Sequence, residues 1–140
     1  MDLLEFGKQV LSSQPFSVLV GAELIAFSKG RAEINISVTP HLKQQHGSVH
    51  GGVLSYAADN ALTFAGGSVL GPEVVTSEFK INYLRPAQGT DILVRAAVVS
   101  AGTSQAVCRC EIFAVSDGKE DLCAIALGTI ASTSRAKHES

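Results

Sequence analysis

The feature that most constrains this fold is a helical segment, 51–68, that is apolar or small almost all the way round. Leucine, valine, alanine and phenylalanine recur along it, and Asp59 is its single charged residue. A helix without a broad polar face must be enclosed by other elements, because on a surface it would expose apolar side chains to water. The sequence therefore predicts a central, buried helix that ends near the Gly71–Pro72 pair.

Strand patterns lie on both sides of this helix. The predicted strands are 22–28, 31–38, 74–83, 91–100, 105–115 and 122–133. The first two are joined through Lys29 and Gly30 as a hairpin, and in 31–38 apolar and polar residues alternate strictly. The later connections are short and rich in turn residues, which favours sequential antiparallel pairing.

An antiparallel sheet curled around one helix would enclose that helix, so the expected fold class is α+β. With 140 residues, the chain is expected to form a single domain, 1–140. A short helix that begins after Asp2 is expected within residues 1–15. Residues 134–140 are expected to form a flexible tail.

Composition narrows the classes of partner. The charged fraction is 17% and the formal net charge is −2, so the basic excess typical of nucleic-acid binding is missing. Asp59 and Asn60 interrupt the most apolar window, which argues against a membrane span. The N-terminus lacks the pattern of a secretory signal, and Cys108, Cys110 and Cys123 show no disulfide spacing. We expect reduced, buried thiols and a cytoplasmic protein.

One polar stripe runs along the helix. Ser55, Asp59 and Thr63 recur at every fourth position, so they share one face while apolar residues cover the rest. A stripe this narrow indicates a cleft and not bulk solvent. The acid is therefore a candidate base or nucleophile, and the alternative is an aspartate held in structural hydrogen bonds.

The glycine pair at the helix start offers the complementary group. N–H groups in a first turn have no partner within the helix, so Gly51 could donate to a developing oxyanion, whereas a simple flexible helix start is the alternative. Eight residues separate Gly51 from Asp59, about 12 Å of helical rise. A two-fold dimer with antiparallel helices would bring the amide of one subunit near the acid of the other.

Two runs of residues resemble a known family. The segment GSVHGGVLSYAAD, with Asp59 nine residues after His50, resembles the active-site segment of hot-dog-fold thioesterases, and the PaaI-like acyl-CoA thioesterases most of all. The segment VVTSEFKINYLRPA resembles the next strand of that group. The similarity extends from Val20 to Thr133.

The resemblance implies a hydrolase for acyl- or aryl-acyl-CoA whose sites are shared in a homodimer, with a homotetramer expected. Asp59 would act as general base or nucleophile, the Gly51 N–H would polarise the thioester carbonyl, and Thr76 would help to hold the water. No cofactor is implied, because coenzyme A is part of the substrate. The expected substrate-binding residues are Gln44, His50, Gly52, Tyr83, Arg85, Gly102 and Thr103, of which Arg85 and the turn at Gly102 are candidates for the coenzyme A phosphates.

Other kinds of site and function have weaker support in the sequence. His41, His46 and His50 do not have the spacing of a helical zinc motif, so no metal is expected. Cys108 is expected in an apolar environment that disfavours a nucleophilic thiolate. A non-catalytic module that binds acyl thioesters is the alternative from a different functional class, and a hot-dog dehydratase is the enzymatic alternative.

Overall fold

The computed structural model describes residues 1–134, so the predicted tail lies, apart from Ser134, outside the described residues. The helices are α1 (Leu3–Ser12), α2 (Pro15–Val20) and α3 (Gly51–Leu70), with a 3₁₀ turn at Pro40–Leu42. The strands are β1 (Ala22–Ser28), β2 (Arg31–Ser37), β3 (Val74–Tyr83), β4 (Asp91–Ala101), β5 (Gln105–Ser116) and β6 (Lys119–Ser132). In the part of the chain described, no helix combines the length and apolar character needed to span a membrane.

The predicted central helix is confirmed as α3, which is 20 residues long and ends two residues later than expected. The chain leaves α3 at Gly71, where φ is 106°. Glycine adopts this positive φ without strain. Ala57, Ala61 and Leu62 on α3 are fully buried against the sheet. Small alanine side chains let the helix lie close to the strands, so α3 forms the centre of the core.

The sheet has six antiparallel strands in the order β1-β2-β4-β5-β6-β3, which confirms the α+β class. The expectation of sequential pairing is wrong for β3. At about 30 Å in length, α3 carries the chain across the sheet, so β3 joins the far edge beside β6 and β4 returns to pair with β2. One side of β3 therefore forms an edge of the sheet.

Two hairpins are closed by turns that contain glycine. The predicted turn at Lys29 and Gly30 is confirmed, with Ser28 paired to Arg31. The hairpin between β5 and β6 is tighter than expected, because Ser116 pairs with Lys119 and β6 begins three residues before the predicted 122. Asp117 and Gly118 both have positive φ, at 52° and 76°. Such turns match the twist of paired strands, so pairing continues to the turn itself.

The N-terminal region contains two helices where one was expected. Asp2 caps α1 by accepting a hydrogen bond from the Glu5 N–H at 2.8 Å, as predicted. The second helix, α2, has Pro15 at its start and ends at Gly21. At six residues α2 is too short to show a helical period, which explains why the sequence pattern did not reveal it.

The three cysteines are free and buried, as predicted. Alternate residues of β5 face the core, and both Cys108 and Cys110 lie on that face. Burial raises the pKa of Cys108 to about 11 and that of Cys110 to about 12. A thiol in this state is protonated at neutral pH, which removes Cys108 as a nucleophile.

Candidate active site

A cluster of hydrogen bonds centres on Asp59 in the middle of α3. The Thr76 hydroxyl, on β3, donates to Asp59 Oδ1 at 2.6 Å. Thr63, one turn further along α3, donates to the Asp59 backbone carbonyl at 2.8 Å, and its oxygen lies 2.9 Å from that of Thr76. All three residues are half-buried. One carboxylate oxygen is thus fixed by Thr76, which leaves the other oxygen for a further partner.

The start of α3 presents one unpartnered amide. The side chain of His50 caps the helix, with Nδ1 accepting from the Gly52 N–H at 2.8 Å, so this nitrogen carries no proton. The Gly51 N–H, in contrast, has no acceptor among the described residues. Gly51 is also free of a side chain that would shield its amide. The geometry matches an N–H that can donate to a substrate oxygen, and it gives His50 the role of a helix cap.

Tyr83 connects the start of α3 to the end of β3. Its hydroxyl donates to the Gly51 carbonyl at 3.1 Å and lies 3.3 Å from Ser55 Oγ. Because Ser55 meets Tyr83 while Asp59 and Thr63 meet Thr76, the polar stripe of α3 lies along β3, and the helix and strand run in opposite directions. Tyr83 is about half exposed and lies beside the unpartnered amide.

Gln44 lies outside this cluster. Its backbone N–H donates to the Ser48 carbonyl at 2.8 Å, and its side-chain oxygen is 3.4 Å from the His46 N–H. These bonds shape the loop before α3. Within one chain the Gln44 side chain shows no hydrogen bond to Gly51 or Asp59 among the described residues.

Arg85 and the turn that contains Gly102 and Thr103 lie at opposite ends of the sheet. Arg85 follows β3, and its N–H donates to the Cys123 carbonyl. The turn is next to the other end of β6, where the Ser132 N–H donates to the Ser104 carbonyl. The nine residue-to-residue steps from 123 to 132 correspond to about 30 Å of strand. One chain does not bring these two candidates together.

A second polar cluster, absent from the sequence analysis, joins α1 and α2 to α3. The Tyr56 hydroxyl donates to Ser17, and Ser17 donates to Gln14 Oε1 at 2.6 Å. Asn60 Nδ2 lies 3.0 Å from the Tyr56 oxygen and 3.1 Å from Gln14 Oε1. The contacts cross about 40 residues of chain, so local sequence patterns could not reveal them. We refer to these four residues as the amide cluster.

The histidines of the loop do not converge. His50 is bound to Gly52 through Nδ1, and His41 lies in the 3₁₀ turn. Throughout residues 1–134, no group of three or more histidine, cysteine or acidic side chains is placed to hold a metal ion.

The two halves of the expected chemistry lie apart within one chain. Asp59 and Thr76 form a base with one oriented oxygen, and Gly51 supplies a donor at the helix start. Both belong to α3, with about 12 Å of helical rise between them. Within one chain, the Gly51 N–H and the Asp59 carboxylate are therefore too far apart to contact one carbonyl group at the same time.

A family model and a solved structure identify the same family for this chain. The sequence model of the thioesterase superfamily matches residues 46–120, which include the start of α3, Asp59 and Thr76. A solved structure of a thioesterase family protein from Silicibacter pomeroyi is 33% identical, covers 90% of this chain and 94% of that chain, and superposes with a TM-score of 0.86.

Two curated relatives carry named activities. Acyl-coenzyme A thioesterase PaaI of Escherichia coli is 35% identical over 80 residues, which are 57% of this chain and 56% of that protein. The 1,4-dihydroxy-2-naphthoyl-CoA hydrolase of Listeria monocytogenes is 28% identical over 114 residues, which are 80% of this chain and 90% of that protein.

Proposed function

Because this chain belongs to the thioesterase superfamily and is a hot-dog-fold thioester hydrolase of the PaaI-like group, we propose that it hydrolyses acyl- or aryl-acyl-CoA to the free acid and coenzyme A. The observation that carries this proposal is the carboxylate of Asp59, oriented by Thr76 at 2.6 Å on a helix whose start presents an unpartnered Gly51 N–H. The named relatives act on coenzyme A thioesters, which supports the choice of substrate.

In the proposed reaction, the free oxygen of Asp59 accepts a proton from water, and the water oxygen bonds to the thioester carbonyl carbon. The carbonyl electrons move to oxygen, where the Gly51 N–H stabilises the charge. Collapse of this intermediate breaks the C–S bond, and the coenzyme A thiolate leaves and is protonated. A thioester is reactive enough for a base and one oxyanion donor, so no cofactor is required.

Direct attack by Asp59 is the alternative first step, and it would form an anhydride and release the thiolate. Water would then hydrolyse the anhydride, and attack at the Asp59 carbonyl carbon leaves the oxygen of that water in Asp59. After a single turnover in H₂¹⁸O, ¹⁸O in Asp59 would therefore establish the anhydride, because the base route places ¹⁸O only in the acid product.

We propose that two copies complete the site. The ten-residue strand β3 is an edge of the sheet, and an uncovered edge of this length is prone to pair. Antiparallel pairing of β3 with the same strand of a second copy sets the Gly51 and Tyr83 end of one chain against the Asp59 and Thr76 end of the other. Each dimer then has two complete sites.

The same pairing gives Arg85 a function in substrate binding. Arg85 lies at one end of β3, and the turn with Gly102 and Thr103 lies next to the other end. The two-fold axis brings Arg85 of one chain to the turn of its partner. A guanidinium and backbone N–H groups suit phosphate, so we assign the coenzyme A phosphates to this position. Gln44, in the loop before α3, and Gly52, in its first turn, remain the other proposed substrate-binding residues.

A homotetramer is proposed from the outer face of the sheet. Val107, Ile125 and Leu127 form an exposed apolar strip there, with Leu127 53% exposed. Charged residues of both signs flank the strip. Leu127→Lys should convert tetramers to dimers in sedimentation analysis, and the rate of thiol release should stay the same. A monomeric wild type would contradict both the dimer and the tetramer.

The cysteines are free thiols, and the proposed substrate is a coenzyme A thioester. Both features favour a cytoplasmic location.

The activity is tested by release of free thiol from acyl-CoA substrates. Asp59→Asn keeps the shape of the side chain and removes the base, and we expect kcat to fall by about 10²–10⁴-fold with a smaller change in KM. Equal turnover of wild type and variant would remove Asp59 from the mechanism. Thiol release from no acyl-CoA at all would overturn the proposed function.

The Gly51 amide can be removed with little change to the helix. Proline is favoured at the first helical position and lacks an N–H, and His50 has ψ near 135°, which suits a residue before proline. Gly51→Pro should lower kcat by about 10²-fold or more. Gly51→Ala is the matched control, because it keeps the N–H, and a Cβ there would meet the Tyr83 ring at an ordinary 3.4 Å.

Mixed dimers test whether the site is shared. Gly51→Pro chains and Asp59→Asn chains, each inactive alone, are refolded together in equal amounts. In a mixed dimer one site keeps both wild-type groups, so random pairing should restore about a quarter of wild-type activity. Activity that stays at the level of the separate variants would show that both groups serve one chain.

A further inference from the structure

A cavity of about 370 Å³ lies between α1 and α3, next to the base of the proposed site. Thr63 lines it, and Thr63 also bonds to the Asp59 carbonyl, so the cavity opens within one helical turn of the base. Aromatic and aliphatic side chains form most of the wall: Leu3, Phe6, Phe27, Phe64 and Val74. None of the described residues that line it carries a charge.

On the basis of the proposed thioesterase function, we infer that this cavity receives the acyl group, and that Gln14 and Asn60 select acyl groups with a hydrogen-bonding substituent close to the thioester carbonyl. The preferred class is therefore a 3-hydroxyacyl or 3-oxoacyl thioester with an apolar remainder. A carboxylate at the far end of the acyl group would have no cation to meet in this cavity and is excluded.

The amide cluster leaves two groups unused at the wall of the cavity. Gln14 Oε1 accepts from both Ser17 and Asn60, which fixes the orientation of its amide. The Gln14 Nε2 donors and the Asn60 Oδ1 acceptor then have no partner among the described residues. Both side chains line the cavity. A donor and an acceptor side by side in an apolar wall match a hydroxyl, which can use both, or a ketone, which uses the donor.

The position of the pair sets the position of the substituent. Asn60 is next to Asp59 in α3, and Gln14 bonds directly to Asn60, so the pair lies at the level of the base along the helix axis. The rest of the cavity extends along α3 past Gly67 to Gly71 and Pro72, about 15 Å further. The pair therefore meets the first carbons beyond the carbonyl, and the apolar part of the acyl group fills the rest.

The volume fits a compact acyl group. Its 370 Å³ lies at the small end of the range for ligand sites, about 300–1,000 Å³. That space suits an aromatic ring or one unbranched chain. The phenyl rings of Phe27 and Phe64 pack edge to face, with their centroids 5.3 Å apart. They provide an apolar wall for the acyl group.

The test compares three thioesters of equal length: hexanoyl-CoA, 3-hydroxyhexanoyl-CoA and 3-oxohexanoyl-CoA. Thiol release should show kcat/KM about tenfold or more higher for both substituted substrates than for hexanoyl-CoA. Equal kcat/KM for all three would overturn the inference while leaving the proposed function in place. Thiol release from none of them would overturn the proposed function itself.

Gln14→Glu is the decisive variant. A carboxylate still accepts from Ser17 and Asn60, so the amide cluster is kept, but the unused donor becomes an acceptor. The preference for the 3-oxo substrate, which needs a donor, should be lost, and the 3-hydroxy substrate should keep most of its advantage because a hydroxyl can donate. An equal change for all three substrates would overturn the role of Gln14.

Gly67→Leu is the matched control at the apolar end of the cavity. A Cβ at Gly67 meets only the Val74 methyl at 3.4 Å, so the larger side chain can extend into the cavity. Gly67 lies about 10 Å beyond Asn60 along α3, so this variant is assayed with the counterparts of the three thioesters that have about twelve carbons, whose chains reach it. It should lower kcat/KM for those three together and leave their ratios unchanged. No effect on any of them would show that the acyl group binds elsewhere.

Discussion

Two neighbouring glycines of α3 should respond in opposite ways to the same substitution. A Cβ at Gly66 would lie 2.6 Å from the Cβ of Ile130 and 2.8 Å from each of its γ carbons. Ile130 is fully buried on β6, so it cannot move aside. At Gly67, the next residue, a Cβ would meet only a methyl group of Val74 at 3.4 Å. The two positions differ in packing and share one helical backbone.

The magnitudes follow from this geometry. Alanine is favoured over glycine inside a helix by about 1 kcal/mol, and this gain applies at both positions. Overpacking of a core costs about 1–3 kcal/mol, and three contacts below 3 Å put Gly66→Ala at the upper end. We expect the free energy of unfolding to fall by about 2 kcal/mol for Gly66→Ala and to rise by about 0.5–1 kcal/mol for Gly67→Ala.

Urea unfolding followed by circular dichroism measures both changes. Protein concentration must be the same throughout, because association contributes to the stability of an oligomer. A double-mutant cycle with Ile130→Ala removes the two γ-carbon contacts and keeps the Cβ contact, so the loss caused by Gly66→Ala should shrink in that background without disappearing. If Gly66→Ala stabilises the protein as much as Gly67→Ala does, the proposed close packing of α3 on β6 is wrong.

Three further predictions concern the site and the thiols. Thr76→Val removes a hydrogen bond to a charged group, worth about 1.5–3 kcal/mol, so kcat should fall roughly ten- to hundredfold. Thr76→Ser keeps the hydroxyl and should keep most activity, and similar rates for both variants would contradict the role of the hydroxyl. Tyr83→Phe removes the bond to the Gly51 carbonyl and should lower kcat/KM roughly two- to tenfold, measured as thiol release. Burial raises the pKa of Cys108 and Cys110 to about 11 and 12, so above pH 9 the thiols ionise first in the unfolded chain, and the free energy of unfolding should decline as pH rises through the folded values. Cys110→Ala should make that decline shallower in urea titrations, and an unchanged slope would contradict the assignment.

The sequence predicted the helices and strands in which apolar residues recur at a regular spacing. The apolar run of α3 and the alternation of β2 define a buried helix and a strand with one buried face, and the structure has both. The fourfold spacing of Ser55, Asp59 and Thr63 also placed these residues correctly on one face, because side chains on a helix follow its geometry.

Long-range pairing was not predictable in the same way. The position of β3 depends on the length and direction of α3, and alternation within β3 is the same beside β6 as beside β4. The amide cluster joins Gln14 and Ser17 to Tyr56 and Asn60, and no local spacing marks such a contact. The shared site remains a prediction, because it depends on a second copy of the chain.

The place of β3 in the sheet has a consequence for synthesis. This strand carries Thr76, but it can pair within the chain only with β6, which leaves the ribosome last among the strands. Until then β3 has no strand partner within the chain, and its backbone N–H and C=O groups hydrogen-bond to water. Asp59 can therefore gain Thr76 as its oriented partner only after β6 has been synthesised, so a shorter nascent chain should be inactive.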